Sequence, residues 1–232
     1  MAAHQTILQK MLSDDLSSVF LKEYARRLPT VYLEAESRTI KDDNVDEALK
    51  PYLFWQTRYT MVQSLFISVA RECGIEAEVT RCEANGFPIL VVKEGRFTIT
   101  THHSSKSDEM AVLNSSLMRQ QHASINHQLI QPTLFDRFDD NKLLNADSIY
   151  ANIIFGCRGN TSEWVKFGFL RIAVPYVKKV KNQKGDLIDR LHYAENCDYN
   201  DILAMVVDRE QQEKQRPVVK VVVPKVKRKV GA

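Results

Sequence analysis

Apolar side chains recur at helical spacing early in the chain, where Leu16, Val19, Phe20 and Tyr24 line one face. Ser13, followed by Asp14 and Asp15, reads as an N-cap with acids in the first turn. Pro29 is expected to stop this helix. A polar stretch over residues 34–46 leads to Pro51, and the strongest amphipathic pattern follows. There Trp55, Tyr59, Val62, Leu65, Phe66, Val69 and Cys73 predict a long core helix, with Gly74 as its C-terminal stop.

The pattern then changes to that of strands. Residues 76–83 alternate through Val79, residues 87–92 are apolar, and residues 96–101 alternate through Phe97 and Ile99. Asn85-Gly86 and Glu94-Gly95 supply turns, so a meander is expected. Residues 107–128 read as helix, with Met110, Leu113, Leu117 and Met118 on one side. Residues 149–155 and 166–174 read as two further strands, and 186–191 and 201–209 as short helices. The prediction is an α+β domain with a mainly antiparallel sheet of about five strands. Residues 1–75 form its helical part and 76–210 its sheet part, with an exposed loop at 128–147 and a basic C-terminal tail at 211–232.

Composition is that of an ordinary globular chain. Over 232 residues it is 44% hydrophobic and 26% charged with eight glycines and seven prolines, which excludes collagen-like, coiled-coil and mostly disordered readings. No run approaches the roughly 18 apolar residues of a membrane helix. The first fifteen residues have no uninterrupted apolar run, so no secretory signal is expected. Cys73, Cys82, Cys157 and Cys197 lack any C-x-x-C spacing and read as reduced thiols of a cytoplasmic protein.

Charge is unevenly distributed. Residues 211–232 hold seven basic side chains against Glu213, a net +6, and the other 210 residues hold 25 basic and 28 acidic ones, a net −3. A cationic tail is attracted to nucleic acid by counterion release, and Lys225, Lys227, Arg228 and Lys229 are its candidate contacts. Two forms of the tail stay open: a solvated segment, or a strand through Val223 that leaves 224–232 free. The second is favoured because three valines run together at 221–223.

Gln131-Pro132-Thr133-Leu134-Phe135 lies in the polar stretch at 128–147. This Q-x-x-L-F peptide resembles the motif by which bacterial polymerases and repair proteins dock on the DNA sliding clamp. The resemblance implies Gln131 as a polar anchor and Leu134 and Phe135 as apolar anchors in a hydrophobic cleft. Pro132 departs from the commoner Leu, while biasing Gln131 toward extended backbone. The alternative is a local clasp, with Leu134, Phe135 and Phe138 folded over the sheet. The clamp reading implies a sliding-clamp- and nucleic-acid-associated protein that inhibits or modulates DNA replication, as toxin-like or phage factors do.

The predicted αβββαβ order also resembles the core of the PD-(D/E)xK nuclease superfamily. That family holds a divalent metal with an acid on its second strand and a D/E-x-K on its third. The nearest echo here, Glu94-Gly95-Arg96, falls in a turn. A divergent nuclease would use Glu76, Glu78 or Glu83 with Lys93, and a third reading is a regulatory domain binding another protein through its helical half. His102, His103, His122 and His127 match no strong zinc spacing and read as surface residues. Cys157 sits beside Arg158, which would favour its thiolate. Trp55 is expected in the core. No catalytic residue, metal ligand or cofactor is assigned.

Overall fold

The first helix, α1 (Ile7–Asp15), opens on a capping box. Thr6 Oγ1 accepts from the Gln9 N–H, and Gln9 Oε1 accepts from the Thr6 N–H, both at 3.1 Å. In the computed structural model, which describes residues 6–81, 86, 88–104, 117–131, 137–157 and 166–215, Ser13 is buried inside this helix and does not cap the next. Leu8, Met11 and Leu12 carry the apolar stripe upstream of the expected start. The cap of α2 (Ser18–Thr39) is Ser17, whose Oγ accepts from the Phe20 N–H at 3.3 Å.

Pro29 does not stop α2. It lies on the exposed face, while Leu21, Tyr24, Leu28, Tyr32 and Ala35 form an unbroken buried stripe across it. An interior proline costs about 3 kcal/mol or more. Burial of one large apolar side chain contributes about 1.5–3 kcal/mol, so the stripe outweighs the break. The long amphipathic pattern forms α3 (Lys50–Glu72), with Pro51 in its first turn. It ends at Gly74, where the Ile75 N–H reaches Ala70 O at 2.9 Å and the Gly74 N–H reaches Arg71 O at 3.0 Å.

The meander forms as expected: β1 (Glu76–Arg81), β2 (Pro88–Glu94) and β3 (Phe97–Ser104) pair antiparallel. After α4 (Leu117–Ala123) and a 3-10 helix at Ser124–Leu129, a two-stranded ribbon pairs β4 (Ile130–Gln131) with β5 (Arg137–Phe138). Then come α5 (Asp140–Leu144), β6 (Ile149–Gly156), β7 (Phe169–Lys181), β8 (Leu187–Asp198) and α6 (Tyr199–Gln215). The main sheet has order β1-β2-β3-β6-β7-β8. Its fold is α+β and mainly antiparallel, with six strands and one parallel pair, β3 with β6. Residues 186–191 are not helical: the tight turn at 182–186 folds β8 back onto β7, and cross-strand pairing overrides a short ambiguous pattern.

Every residue of β6 is buried because both faces of the sheet are covered. Ile149, Ala151, Ile153 and Phe155 join the large core with α1, α2, α3 and α6. Tyr150 and Ile154 face the other way, with Ala123, Phe169, Ala173 and Leu191. In the stretch expected to be exposed, Leu129, Ile130 and Leu143 are buried in the large core. The first five residues of the basic tail close α6, and 216–232 lie outside the described residues. Among the described residues no helix is long and apolar enough to cross a membrane.

Asn126, fully buried, fastens the second layer to the sheet. Its Nδ2 donates to Tyr150 O at 2.7 Å and Pro175 O at 2.6 Å, and its Oδ1 accepts from the Tyr150 N–H at 2.9 Å. Asn126→Ala strands those three backbone groups and should lower stability by about 2–4 kcal/mol in urea unfolding. Asn126→Asp should be comparably damaging, because an ionised carboxylate accepts but cannot donate.

Candidate functional site

The residues singled out in the sequence scatter over the fold. Gln131 sits in β4, paired with Arg137, so the ribbon holds both flanks of the Q-x-x-L-F peptide. Leu134 and Phe135 lie outside the described residues, as do Glu83, Arg158 and the tail cations Lys225, Lys227, Arg228 and Lys229. The ribbon itself is anchored: Leu129 just before it and Ile130 within it are buried, and the Asp139 N–H donates to Leu129 O at 2.9 Å after it. Asp139 then caps α5 through the N–H groups of Asn141 and Lys142.

The carboxylates considered for a nuclease do converge in part. Lys93 Nζ lies 3.2 Å from Glu76 Oε1 and 3.1 Å from Glu78 Oε1. Glu76 and Glu78 are two apart on the edge strand and so share a face, and Lys93 is the register partner of Glu76. All three side chains are substantially exposed, so this is a cross-strand ion pair worth at most about 1 kcal/mol. With the 3-10 helix, the β4–β5 ribbon and α5 set aside as an insertion between α4 and β6, the order α3-β1-β2-β3-α4-β6, with β3 parallel to β6, follows the αβββαβ arrangement. Its third strand reads Phe97-Thr-Ile-Thr-Thr-His-His-Ser104, with neither an acid nor a lysine. Among the described residues no group of three His, Cys, Asp or Glu side chains could hold a metal.

One buried arrangement has no signature in the sequence. It surrounds Arg58, 1% exposed on α3, near the C-terminal ends of β3 and β6. Its guanidinium carbon lies 4.0 Å from the Trp55 ring centre and 5.0 Å from those of Tyr32 and Phe54. Desolvated cation–π contacts of this kind contribute about 2 kcal/mol. Arg58 Nη1 also donates to Cys157 Sγ at 3.5 Å. Thus Arg58, from another element, is the cation shown beside Cys157, yet burial still pushes this thiol up from its ordinary range.

His103 packs edge-on to Trp55 at 4.4 Å and to Phe155 at 5.4 Å. Burial, then the nearby Arg58 charge, pushes its pKa down to about 2. His102 is likewise held neutral at about 2, by burial first and then Arg119 and His103. These two are half-buried, unlike the surface residues expected. His122 stacks on Tyr150, and His127 Nδ1 lies 3.0 Å from Val177 O. Trp55 is half-buried as the lid of the Arg58 cage. Cys73, Cys157 and Cys197 are free thiols.

A second, half-buried charge cluster holds the β2–β3 turn. Gly95 has φ +55°, and a Cβ there would fall 2.7 Å from Asp15 Cβ, so only glycine lets the turn sit on the end of α1. Arg96 Nε donates to Asp15 Oδ2 at 2.7 Å, and Glu94 Oε1 accepts from the Ser17 N–H at 2.9 Å. Glu94 Oε2 is buried without a hydrogen-bond partner among the described residues. Burial raises the Glu94 pKa to about 7, the Ser17 hydrogen bond and Arg209 opposing and Asp15 reinforcing the rise.

The unfolded chain releases this proton near 4.5 and the folded chain near 7. The carboxyl therefore contributes no penalty below about pH 4.5, destabilises progressively up to about pH 7, and does so fully above that. Glu94→Gln keeps the acceptor for Ser17 and removes the charge. It should raise stability at pH 8 by about 1–2 kcal/mol, allowing for solvent screening, and change little at pH 4. Denaturant unfolding at the two pH values measures this.

Comparison with known proteins finds no matching family model, no matching curated relative and no matching solved structure.

Proposed function

We propose that this protein is a sliding-clamp-binding, nucleic-acid-associated factor that modulates DNA replication by occupying the clamp's peptide cleft. The observation that supports this reading is the β4–β5 ribbon. Its two short strands tether Gln131 and Arg137 to each other, with buried residues on one side and a capped helix on the other. A five-residue recognition peptide offered between fixed ends loses less conformational freedom on docking than a free tail. In this reading Gln131 is the polar anchor, Leu134 and Phe135 fill the cleft, and Lys225, Lys227, Arg228 and Lys229 contact nucleic acid. The protein then works in the bacterial cytoplasm, where clamp and DNA are found.

Burial of two such apolar anchors contributes about 3–5 kcal/mol, which corresponds to micromolar binding for an isolated peptide once other contacts are added. The full chain should bind purified bacterial sliding clamp and be displaced by a known clamp-binding peptide. Leu134→Ala with Phe135→Ala should weaken binding about 100-fold or more without changing the thermal melting of the fold. Unchanged affinity in that variant overturns the reading.

A second reading, a divergent nuclease, draws support from the αβββαβ order and from Glu76 and Glu78 meeting at Lys93. Its signature is DNA cleavage with Mg²⁺ or Mn²⁺ that disappears in Glu78→Ala. Turnover that is absent, or that persists in Glu78→Ala, rejects it.

A further inference from the structure

β7 and β8 outgrow the sheet they belong to. β6 pairs with β7 only as far as Ala173, whereas β7 runs on to Lys181. The 3-10 helix covers the next stretch through Asn126 on Pro175 O and His127 beside Val177 O. Beyond Val177 the two strands continue as a pair through Lys178↔Arg190, Lys179↔Asp189, Val180↔Ile188 and Lys181↔Leu187. On this arm Lys178, Lys179, Lys181, Lys184 and Leu187 are exposed, Leu187 by 66%. α4 reaches the base of this arm, where Gln120 Nε2 donates to Asp189 O at 3.0 Å, and two residues of each strand with the turn extend about 10 Å beyond that contact.

The turn at the tip is tightly made. Asn182 Oδ1 accepts from the N–H groups of Lys184 and Asp186 at 2.8 and 2.9 Å, and Asn182 Nδ2 donates to Asp186 Oδ2 at 3.1 Å. Gly185, with φ +85°, closes it by donating to Asn182 O at 3.0 Å. Asp186 is thereby engaged by the turn itself. Lys179, Lys181 and Lys184 form no ion pair with the described residues, although Asp189 is the register partner of Lys179.

Residues 178–190 hold five basic and two acidic side chains, a net +3, and the rest of the first 210 residues hold 20 basic and 26 acidic ones, a net −6. Positive charge is thus gathered on a projecting ribbon against an acidic body. Strand alternation puts Lys178 on one face of the ribbon and Lys179 and Lys181 on the other.

We infer that the β7–β8 arm is a DNA-binding ribbon, which lies in a groove of duplex DNA and sets Lys179, Lys181 and Lys184 against the phosphates. A two-stranded ribbon fits the major groove of B-form DNA, and lysines on both faces meet both walls. The contacts are to phosphate, so binding is independent of sequence and sensitive to salt. The acidic body turns the arm toward the polyanion and repels the remainder. This inference shares with the proposed function only the expectation of work at DNA, and it does not involve the clamp peptide.

The test uses the full chain and a 30-base-pair duplex of random sequence, with fluorescence anisotropy read across a salt series. Lys179→Gln/Lys181→Gln/Lys184→Gln should weaken binding at least 10-fold at low salt. It should also reduce the slope of log K against log[salt] by about 2–3, since each phosphate contact contributes about 0.9. These side chains are exposed, so the melting temperature should not change. The same drop should be seen in a chain whose tail carries Lys225→Gln, Lys227→Gln, Arg228→Gln and Lys229→Gln. If the tail substitutions remove all binding and the arm substitutions remove none, the arm is not the site while the tail contact stands. Lysines on a free strand edge also discourage association between sheets. A triple variant that oligomerises but keeps the wild-type salt slope therefore overturns the inference too.

Discussion

Parallel pairing of β3 with β6 is the constraint on which the rest of the architecture depends. Eight register pairs, from Phe97↔Ile149 to Ser104↔Gly156, join strands that point the same way. Such strands cannot be linked by a hairpin, and the chain between them must cross a face of the sheet. That crossing sets Ala123, at the end of α4, in the smaller core on one face, and by Leu129, at the end of the 3-10 helix, the chain has entered the large core with α2 and α3. β6 is consequently buried throughout, and its residues divide by parity between two cores. The same crossing carries Asn126 to the backbone of Tyr150 and Pro175, and it includes the ribbon that pairs Gln131 with Arg137.

Burial of polar groups follows from this layering and separates the two charge clusters by character. Around Arg58 three aromatic faces and a thiol replace water, so the cation is held by ring quadrupoles and the neighbouring histidines stay neutral. Around Glu94 the acceptor is used by the start of α2, while Arg209 from α6 is spent on Ser13 O and Asp14 O at the end of α1. Cationic donors at the last carbonyls of a helix are favourable. The cost is a half-buried carboxyl with one oxygen unsatisfied, which makes this junction sensitive to pH between about 4.5 and 7.

Several features of the fold were legible in the residues because they are local. The meander needs only strand-length apolar runs and turns at Gly86 and Gly95, and α3 needs only its 3.6-residue stripe and Gly74. Misreadings occurred where a local signal met a longer-range one. Pro29 is a helix stop in isolation, but the apolar stripe on both sides of it makes continuation cheaper than ending. Ser13 resembles a cap, but Leu8, Met11 and Leu12 extend the burying face before it. Residues 187–191 have no decisive period of their own, and pairing with β7 decides them.

The sequence by itself determined the α+β class, the helical first third, the Gln131–Phe135 peptide and the gathering of positive charge at the C-terminal end. Each depends on spacing or composition along one stretch of chain. Only the tertiary structure decided that β3 and β6 run parallel, that Arg58 lies among Tyr32, Phe54 and Trp55 beside Cys157, and that Lys179, Lys181 and Lys184 ride on one projecting arm. Those facts join residues dozens of positions apart. An arginine in an amphipathic helix has the same letter whether its face meets water or a neighbouring layer, and only the packing of that layer sets the dielectric around it.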